Sequence, residues 1–287
     1  MELYIEKAVL DQLNLDFLKE DLSLGQEKLR DILYSYDGIT FYTDFNYDAV
    51  QLENYKLENP LFNKILAKAT ITLRSLSSLN QFIDETPFKQ TLVLESKEND
   101  KNRDFIENKG GLYFSYANYS AKIETILSHF HKRIDLSEKF EGWHKTFTNN
   151  SLKLNEIIIN DNYLLDSLSN IDTYLKPLVN AVKKQSFLER ILYITDFLNK
   201  RNFEKEKKEE QLRTTLKCCV EIVHNNFNNF SNHDRILYTN FLMIDCPIGF
   251  NQVHKISNSV ITIHTIFDKF TYKRRRKHYE AIEKFIK

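Results

Sequence analysis

His233, Arg235 and Asn240 stand where a polar turn, Asn225 to Asn232, gives way to the apolar and β-branched run Ile236-Leu237-Tyr238-Thr239. Residues two apart on a strand face the same way, so an imidazole at 233 and a guanidinium at 235 can converge on one anion. An imidazole there can attack phosphorus or move a proton. A guanidinium clamps phosphate oxygens with a planar fork. The amide of Asn240 can accept a hydrogen bond from the imidazole, but it brings no charge to stabilise imidazolium. Asp234 and Asp245 are close in sequence, although Asp234 should face the other side of the strand. The plainer alternative is structural: Asp234 capping a turn, Arg235 paired with an acid and His233 satisfied by a carbonyl.

A second concentration of chemistry is the run Lys273-Arg274-Arg275-Arg276-Lys277, flanked by Tyr272 and Tyr279. Five consecutive cations with neighbouring rings fit phosphate-backbone contact and base stacking. Anionic lipid headgroups would meet the same charges, and a solvated helix end is the bland reading. The run follows an adjacent strand, within reach of the same groove. His131-Lys132-Arg133 repeats the His-x-Arg spacing, with Glu138 further on, but falls in an amphipathic pattern and reads as surface charge. Glu2, Glu6, Asp37, Asp44 and Asp48 read as turn carboxylates rather than a divalent-metal cluster. Cys218, Cys219 and Cys246 lack metal-ligand spacing and read as reduced thiols, the first two in mid-helix. No metal or other cofactor is expected.

The elements that must position these groups belong to a chain of 287 residues with 42% hydrophobic and 28% charged content, ordinary for a globular protein. Lys and Arg total 40, as do Asp and Glu, so no global field draws it to nucleic acid or membrane and any electrostatic footprint is local. The opening Met1-Glu2-Leu3-Tyr4-Ile5-Glu6 lacks a secretory pattern, and no apolar run reaches the roughly 18 residues of a bilayer span. A cytoplasmic location is expected. The bias to Phe, Tyr, Asn, Lys and Ile over Gly and Pro resembles proteins of AT-rich bacteria.

Helical spacing marks 8–22 and 26–36, and residue type marks strands at Ile39–Thr43, Thr91–Glu95 and Leu112–Tyr116. Residues 45–83 read as two helical segments, Ser96–Asn108 as a surface loop, and the stretch after 116 as a long helix to about Ile134. A boundary near residue 150 separates an N-terminal, helix-rich α/β domain (1–149), whose role the sequence leaves open, from a C-terminal domain (150–287). The latter alternates: a continuous apolar strand at Glu156–Ile159, a helix to about Lys184, a strand within Leu188–Phe197, and a charged helix Glu204–Asn225. The motif strand, a turn at Pro247-Ile248-Gly249, a strand at Ser259–Phe267 and the basic helix follow. That order predicts an α+β protein whose C-terminal half is an α/β layer, a mixed sheet flanked by helices.

His233, Arg235 and Asn240 fall on the phospholipase D superfamily spacing of His, any residue, Lys, four residues, Asp. Within that superfamily, residues 150–287 resemble the C-terminal domain of microtubule-interacting-and-trafficking proteins and related bacterial defence proteins. The resemblance rests on Asp161-Asn162-Tyr163 after an apolar strand, His233-Asp234-Arg235 at a loop-to-strand junction, and the Gly249-Phe250 turn. It implies a phospholipase D-like fold in which His233 is the nucleophile that forms a phosphohistidine or the general acid, Arg235 stabilises the non-bridging oxygens, and Asn240 holds the position of the carboxylate behind the imidazole. It also implies metal-independent cleavage of a nucleic-acid phosphodiester, DNA or RNA, by an anti-phage effector with a protein partner from a defence operon. Two such motifs build one site in that superfamily. A chain with one motif would therefore act as a homodimer, with its two His233 residues across a two-fold axis. The alternative is a catalytically silent module for phosphate binding or assembly.

Overall fold

The computed structural model describes residues 1–45, 47–68, 70–71, 79–81, 83, 90–147, 152–165, 167–183, 188–195, 204–224 and 235–286. His233 and Asp234, with the turn before them, lie outside the described residues. The chain divides into an N-terminal unit, Met1–Leu127, and a C-terminal unit, Ser128–Lys287. Each combines helices with its own sheet, so the mixed α and β content expected from the sequence is present in both.

The N-terminal unit is built on five strands: β1 (Glu2–Ile5), β2 (Thr40–Tyr42), β3 (Thr70–Ile71), β4 (Thr91–Glu95) and β5 (Leu112–Ser115). They pair in the order β3-β2-β1-β4-β5, every neighbour parallel. Parallel strands need long crossovers, and helices supply them: α1 (Lys7–Asp16), α2 (Leu24–Ser35), α3 (Ala49–Glu58) and α4 (Pro60–Leu66), then α5 (Asp100–Asn108) and α6 (Tyr119–Phe130). All residues of β1, β4 and β5 are buried, as in a sheet covered on both faces. Helix starts are written in the sequence. Ser23 with Gln26 and Asp48 with Gln51 form reciprocal capping boxes, and Asn59 caps α4 ahead of Pro60. Part of Ser96–Asn108, expected to be loop, is helix α5. Asn99 accepts from Asn102 N at its start, and Ile106 gives this polar segment its one buried anchor.

The C-terminal unit carries seven strands: β6 (Lys132–Asp135), β7 (Glu156–Asn160), β8 (Arg190–Thr195), β9 (Cys219–His224), β10 (Ile236–Thr239), β11 (Leu242–Asp245) and β12 (Val260–Thr265). Their order is β6-β12-β11-β10-β7-β8-β9. β7, β8 and β9 are parallel, and β10, β11, β12 and β6 continue antiparallel. Between them lie α7 (Trp143–Thr146), a π-helix at Ile171–Leu175 that runs into α8 (Lys176–Lys183), then α9 (Lys205–Leu216) and α10 (Lys269–Ile286). β7 is buried along its length and β8 from Ile191 onward, whereas β12 alternates between buried and half-buried.

Three expectations are corrected here. The boundary falls at 127/128 instead of 149/150, because β6 pairs with β12 and draws the preceding residues into the C-terminal sheet. For the same reason the helix expected to reach Ile134 stops at Phe130, and His131-Lys132-Arg133 enters an edge strand. The helix expected over Glu204–Asn225 stops at Leu216, where Lys217 turns left-handed at φ 53°. The alternating Val220-Glu221-Ile222-Val223 then pairs with β8, so Cys218 and Cys219 are not in mid-helix. No described helix is long and apolar enough to cross a membrane.

One buried charge cluster ties α10 to the sheet. Glu156, fully buried at the start of β7, accepts Arg190 Nε at 3.1 Å and lies 3.7 Å from Arg275 Nη2. Arg275 also donates from Nε to the Thr239 carbonyl at 2.7 Å, and burial pulls its guanidinium below the usual range. Removing one member of a buried pair leaves an uncompensated charge, which costs about 3–5 kcal/mol. Arg275→Ala should lower the unfolding free energy by that order. Lys273→Ala, on the exposed side of the same helix, should stay within about 0.5 kcal/mol in the same denaturant titration.

Candidate functional site

The antiparallel return of β10 decides where Arg235 sits. Ile236 pairs with Asn160, the last residue of β7, so Arg235 comes level with Asp161 at the carboxyl ends of the parallel strands. Open α/β sheets bind ligands beyond that edge. β7 delivers Asp161, Asn162 and Tyr163 to it, and β8 delivers Thr195.

Asp161 organises this edge. It is fully buried, and one carboxylate oxygen accepts Tyr163 N while the other accepts Phe250 N, each at 2.9 Å. Burial raises its pKa; the backbone donors and the positive charge of Arg235 pull the other way. The Tyr193 hydroxyl donates to the Asp161 carbonyl, and Thr195 Oγ1 donates to Asn162 Oδ1 at 3.0 Å. Opposite, Arg235 Nη1 donates to the Pro247 carbonyl at 2.7 Å, and the guanidinium lies 5.1 Å from the centroid of the Tyr163 ring. That ring is 41% exposed, so the guanidinium lies beside an aromatic surface open to solvent. Gly249, at φ +93°, makes this placement possible: a Cβ there would come within 3.0 Å of Arg235 Cδ. Cys246 lies beneath, its thiol pushed up by burial and by Asp161, which keeps it protonated.

Asn240 is elsewhere. The whole of β10, roughly 13 Å at 3.3 Å per residue, separates it from Arg235. It is fully buried, with Oδ1 accepting Asn155 N at 3.2 Å and Glu156 N at 3.3 Å, and Nδ2 donating to Asn155 Oδ1. These bonds tie the far end of β10 to the start of β7. They give Asn240 a structural task at the end of β10 away from Arg235, and its relation to the His233 imidazole lies outside the described residues.

The basic run does not form one cationic face, because consecutive helical residues point about 100° apart. Arg275 is buried, Arg274 pairs with Asp245 at 3.3 Å and Arg276 with Glu280 at 2.6 Å. Lys273 and Lys277 are exposed. The expected five-cation contact for nucleic acid is thus reduced to two exposed lysines and two half-buried arginines already engaged with acids.

In the N-terminal unit, β1 has β2 on one side and β4 on the other, which makes their carboxyl ends a topological switch point. A crevice of about 470 Å³ opens there, lined by Glu6, Glu95, Glu98 and Asp100 among others. Two backbone donors at this edge are taken: Asp44 Oδ1 accepts Lys7 N and Glu6 Oε2 accepts Ser96 N, both at 2.6 Å. Glu95 holds Asn102 Nδ2 at 2.7 Å and the Tyr113 hydroxyl at 2.6 Å. The four carboxylates of the crevice outnumber the two lysines of its lining, Lys97 and Lys101, which disfavours a phosphate. The acids expected to be turn residues bond to local groups, Glu2 to the Tyr42 hydroxyl at 2.7 Å and Asp48 to Gln51 N at 2.8 Å. No group of three or more His, Cys, Asp or Glu among the described residues is arranged to hold a metal ion.

A larger cleft, about 760 Å³, lies within the C-terminal unit and is lined by Phe140, Trp143, Tyr174, Pro177, Val253 and His254 among others. Sequence reasoning passed over it, although the single tryptophan beside a glycine was a usable sign. Thr195 and Asp161 were missed as site residues because only the strand order brings them together. No protein-family model matches this chain, and no curated protein matches it.

Asn240→Asp separates the two roles for that residue. A carboxylate would keep the two backbone bonds but lose the donor and face Asn155 Oδ1 directly. The variant should lose about 1–3 kcal/mol of stability, the cost of an unsatisfied buried polar group. A stabilised or unchanged protein by thermal unfolding would contradict the structural assignment.

Proposed function

We propose that the C-terminal unit binds a nucleic-acid phosphodiester at the Arg235 edge and cleaves it without a metal ion, His233 acting as nucleophile. The supporting observation is the half-buried guanidinium of Arg235 beside the open ring of Tyr163, at the carboxyl ends of β7 and β8. The phospholipase D-like spacing supplies the chemistry. An imidazole nitrogen of His233 bonds to phosphorus as the bond to the leaving oxygen breaks, and the departing alkoxide takes a proton from a second imidazole. Water, giving a proton to that second imidazole, then displaces the first from phosphorus and returns both to their starting states. Arg235 offsets the charge on the non-bridging oxygens. Asp161, level with Arg235, is a carboxylate that the fold brings to this edge, where the motif itself offers only Asn240.

The second imidazole belongs to another copy of the chain, so the active unit in this proposal is a homodimer. A defence role, with DNA or RNA of an invader as substrate and a partner protein as trigger, rests on the resemblance alone. A silent phosphate-binding module is the second reading. The observation behind it is that Asn240 is spent on structure, leaving the motif without its own acid.

Nuclease activity on single-stranded DNA and RNA should survive EDTA, vanish in His233→Ala and persist in part in Arg235→Lys, which keeps the charge but not the fork. Sedimentation at micromolar concentration should show a dimer. Activity that dies with EDTA and ignores His233→Ala would move the chemistry elsewhere. A folded dimer that binds oligonucleotide without cutting it would favour the silent module.

A further inference from the structure

The cleft of about 760 Å³ in the C-terminal unit has the size and lining of a small-molecule site, and the Arg235 edge leaves it unused. Its inner wall is Trp143, 5% exposed, with Phe140 edge-on at 4.9 Å between centroids. At its rim Tyr174 and His254 stack with centroids 5.3 Å apart and planes within 13°. Thr173 and Asn180, both exposed, also line it and bring hydroxyl and amide groups to an otherwise apolar wall. Thr173 and Tyr174 reach the cleft from the π-helix Ile171–Leu175, the kind of helical insertion that recurs at functional sites. A slot of flat rings with amide and hydroxyl groups on its rim fits a planar heteroaromatic ring better than an aliphatic chain.

The segment that borders the cleft also builds the phosphate edge. Gly249 lies against Arg235, Phe250 N is held by Asp161, the Phe250 ring is 5.9 Å from that of Trp143, and Val253 and His254 line the cleft. A turn closed by Gln252 N to Gly249 O at 3.0 Å keeps its ends within about 7 Å of each other. We infer that the cleft is a nucleobase subsite: it stacks an unpaired base of the strand whose phosphate lies on Arg235, so that the substrate is single-stranded. The inference deepens the phosphodiester reading and rests on it for the identity of the ligand. The base-stacking cleft stands on its own geometry.

Trp143 is the only tryptophan of the chain, so its fluorescence reports on the cleft directly. The full-length protein is titrated with adenosine, with a dinucleotide carrying a non-hydrolysable phosphorothioate link, and with cyclohexanol. Adenosine should quench Trp143 saturably, and cyclohexanol should not. Tyr174→Ala should weaken adenosine about tenfold, in the range for losing one stacking ring, while Tyr174→Phe restores it. Arg235→Ala should leave adenosine unchanged and weaken the dinucleotide about tenfold. No quench by adenosine at millimolar concentration, or equal quenching by cyclohexanol, overturns the subsite. If adenosine binds and depends on Tyr174 while Arg235→Ala leaves the dinucleotide unaffected, the subsite stands and the phosphate reading fails.

Discussion

A fully buried carboxylate holds the candidate site together. Asp161 directly follows β7 with no exposure to water, a placement that would be unfavourable without compensation. Two backbone N–H groups and the nearby Arg235 provide it. Those two donors come from different segments, Tyr163 beyond β7 and Phe250 beyond β11, so one side chain fixes both margins of the edge. Satisfying Asp161 therefore also sets the segment that lies against Arg235 and borders the aromatic cleft. A change there would disturb binding groups that Asp161 itself never touches.

The second constraint is the antiparallel return of β10 beside β7. It gives the two ends of one short strand different tasks. One end carries Arg235 and the groups fit for an anion. The other carries Asn240, Glu156, Arg190 and Arg275, a buried polar assembly that joins β7, β8 and α10. The run Lys273–Lys277 of α10 divides in a similar way, with Arg275 buried as an anchor, Arg274 and Arg276 engaged with acids, and Lys273 and Lys277 exposed. Charge counted along the sequence overstates what reaches a ligand, because a helix distributes consecutive residues around its axis.

Much of this was legible from residue types. Val93, Ile157 and Ile158 lie in apolar runs that mark fully covered parallel strands, and β4 spans the residues expected of it. Ser23, Asp48 and Asn59 announce their helices through capping chemistry that is local in sequence. What escaped depends on partners distant in the chain. β6 is a strand because β12 lies beside it, and β9 is a strand because β8 does. The charged periodicity preceding each favours helix until that pairing is available. Asn240 matched a catalytic spacing yet serves the opposite end of its strand, a distinction that motif spacing alone does not carry. Asp161 was visible as part of a motif, but its bond to Phe250 spans 89 residues and only the fold reveals it.

In the proposed function, ligand chemistry in this chain gathers at the Arg235 edge and the adjoining cleft rather than on the basic helix. Photo-crosslinking with a 4-thiouridine-substituted single-stranded oligonucleotide, followed by mass-spectrometric mapping, tests this without presuming catalysis. Crosslinks are expected in the peptides that carry Tyr163, Tyr174 and His254. Crosslinks confined to the helix Lys269–Ile286, or to the N-terminal unit, would contradict it.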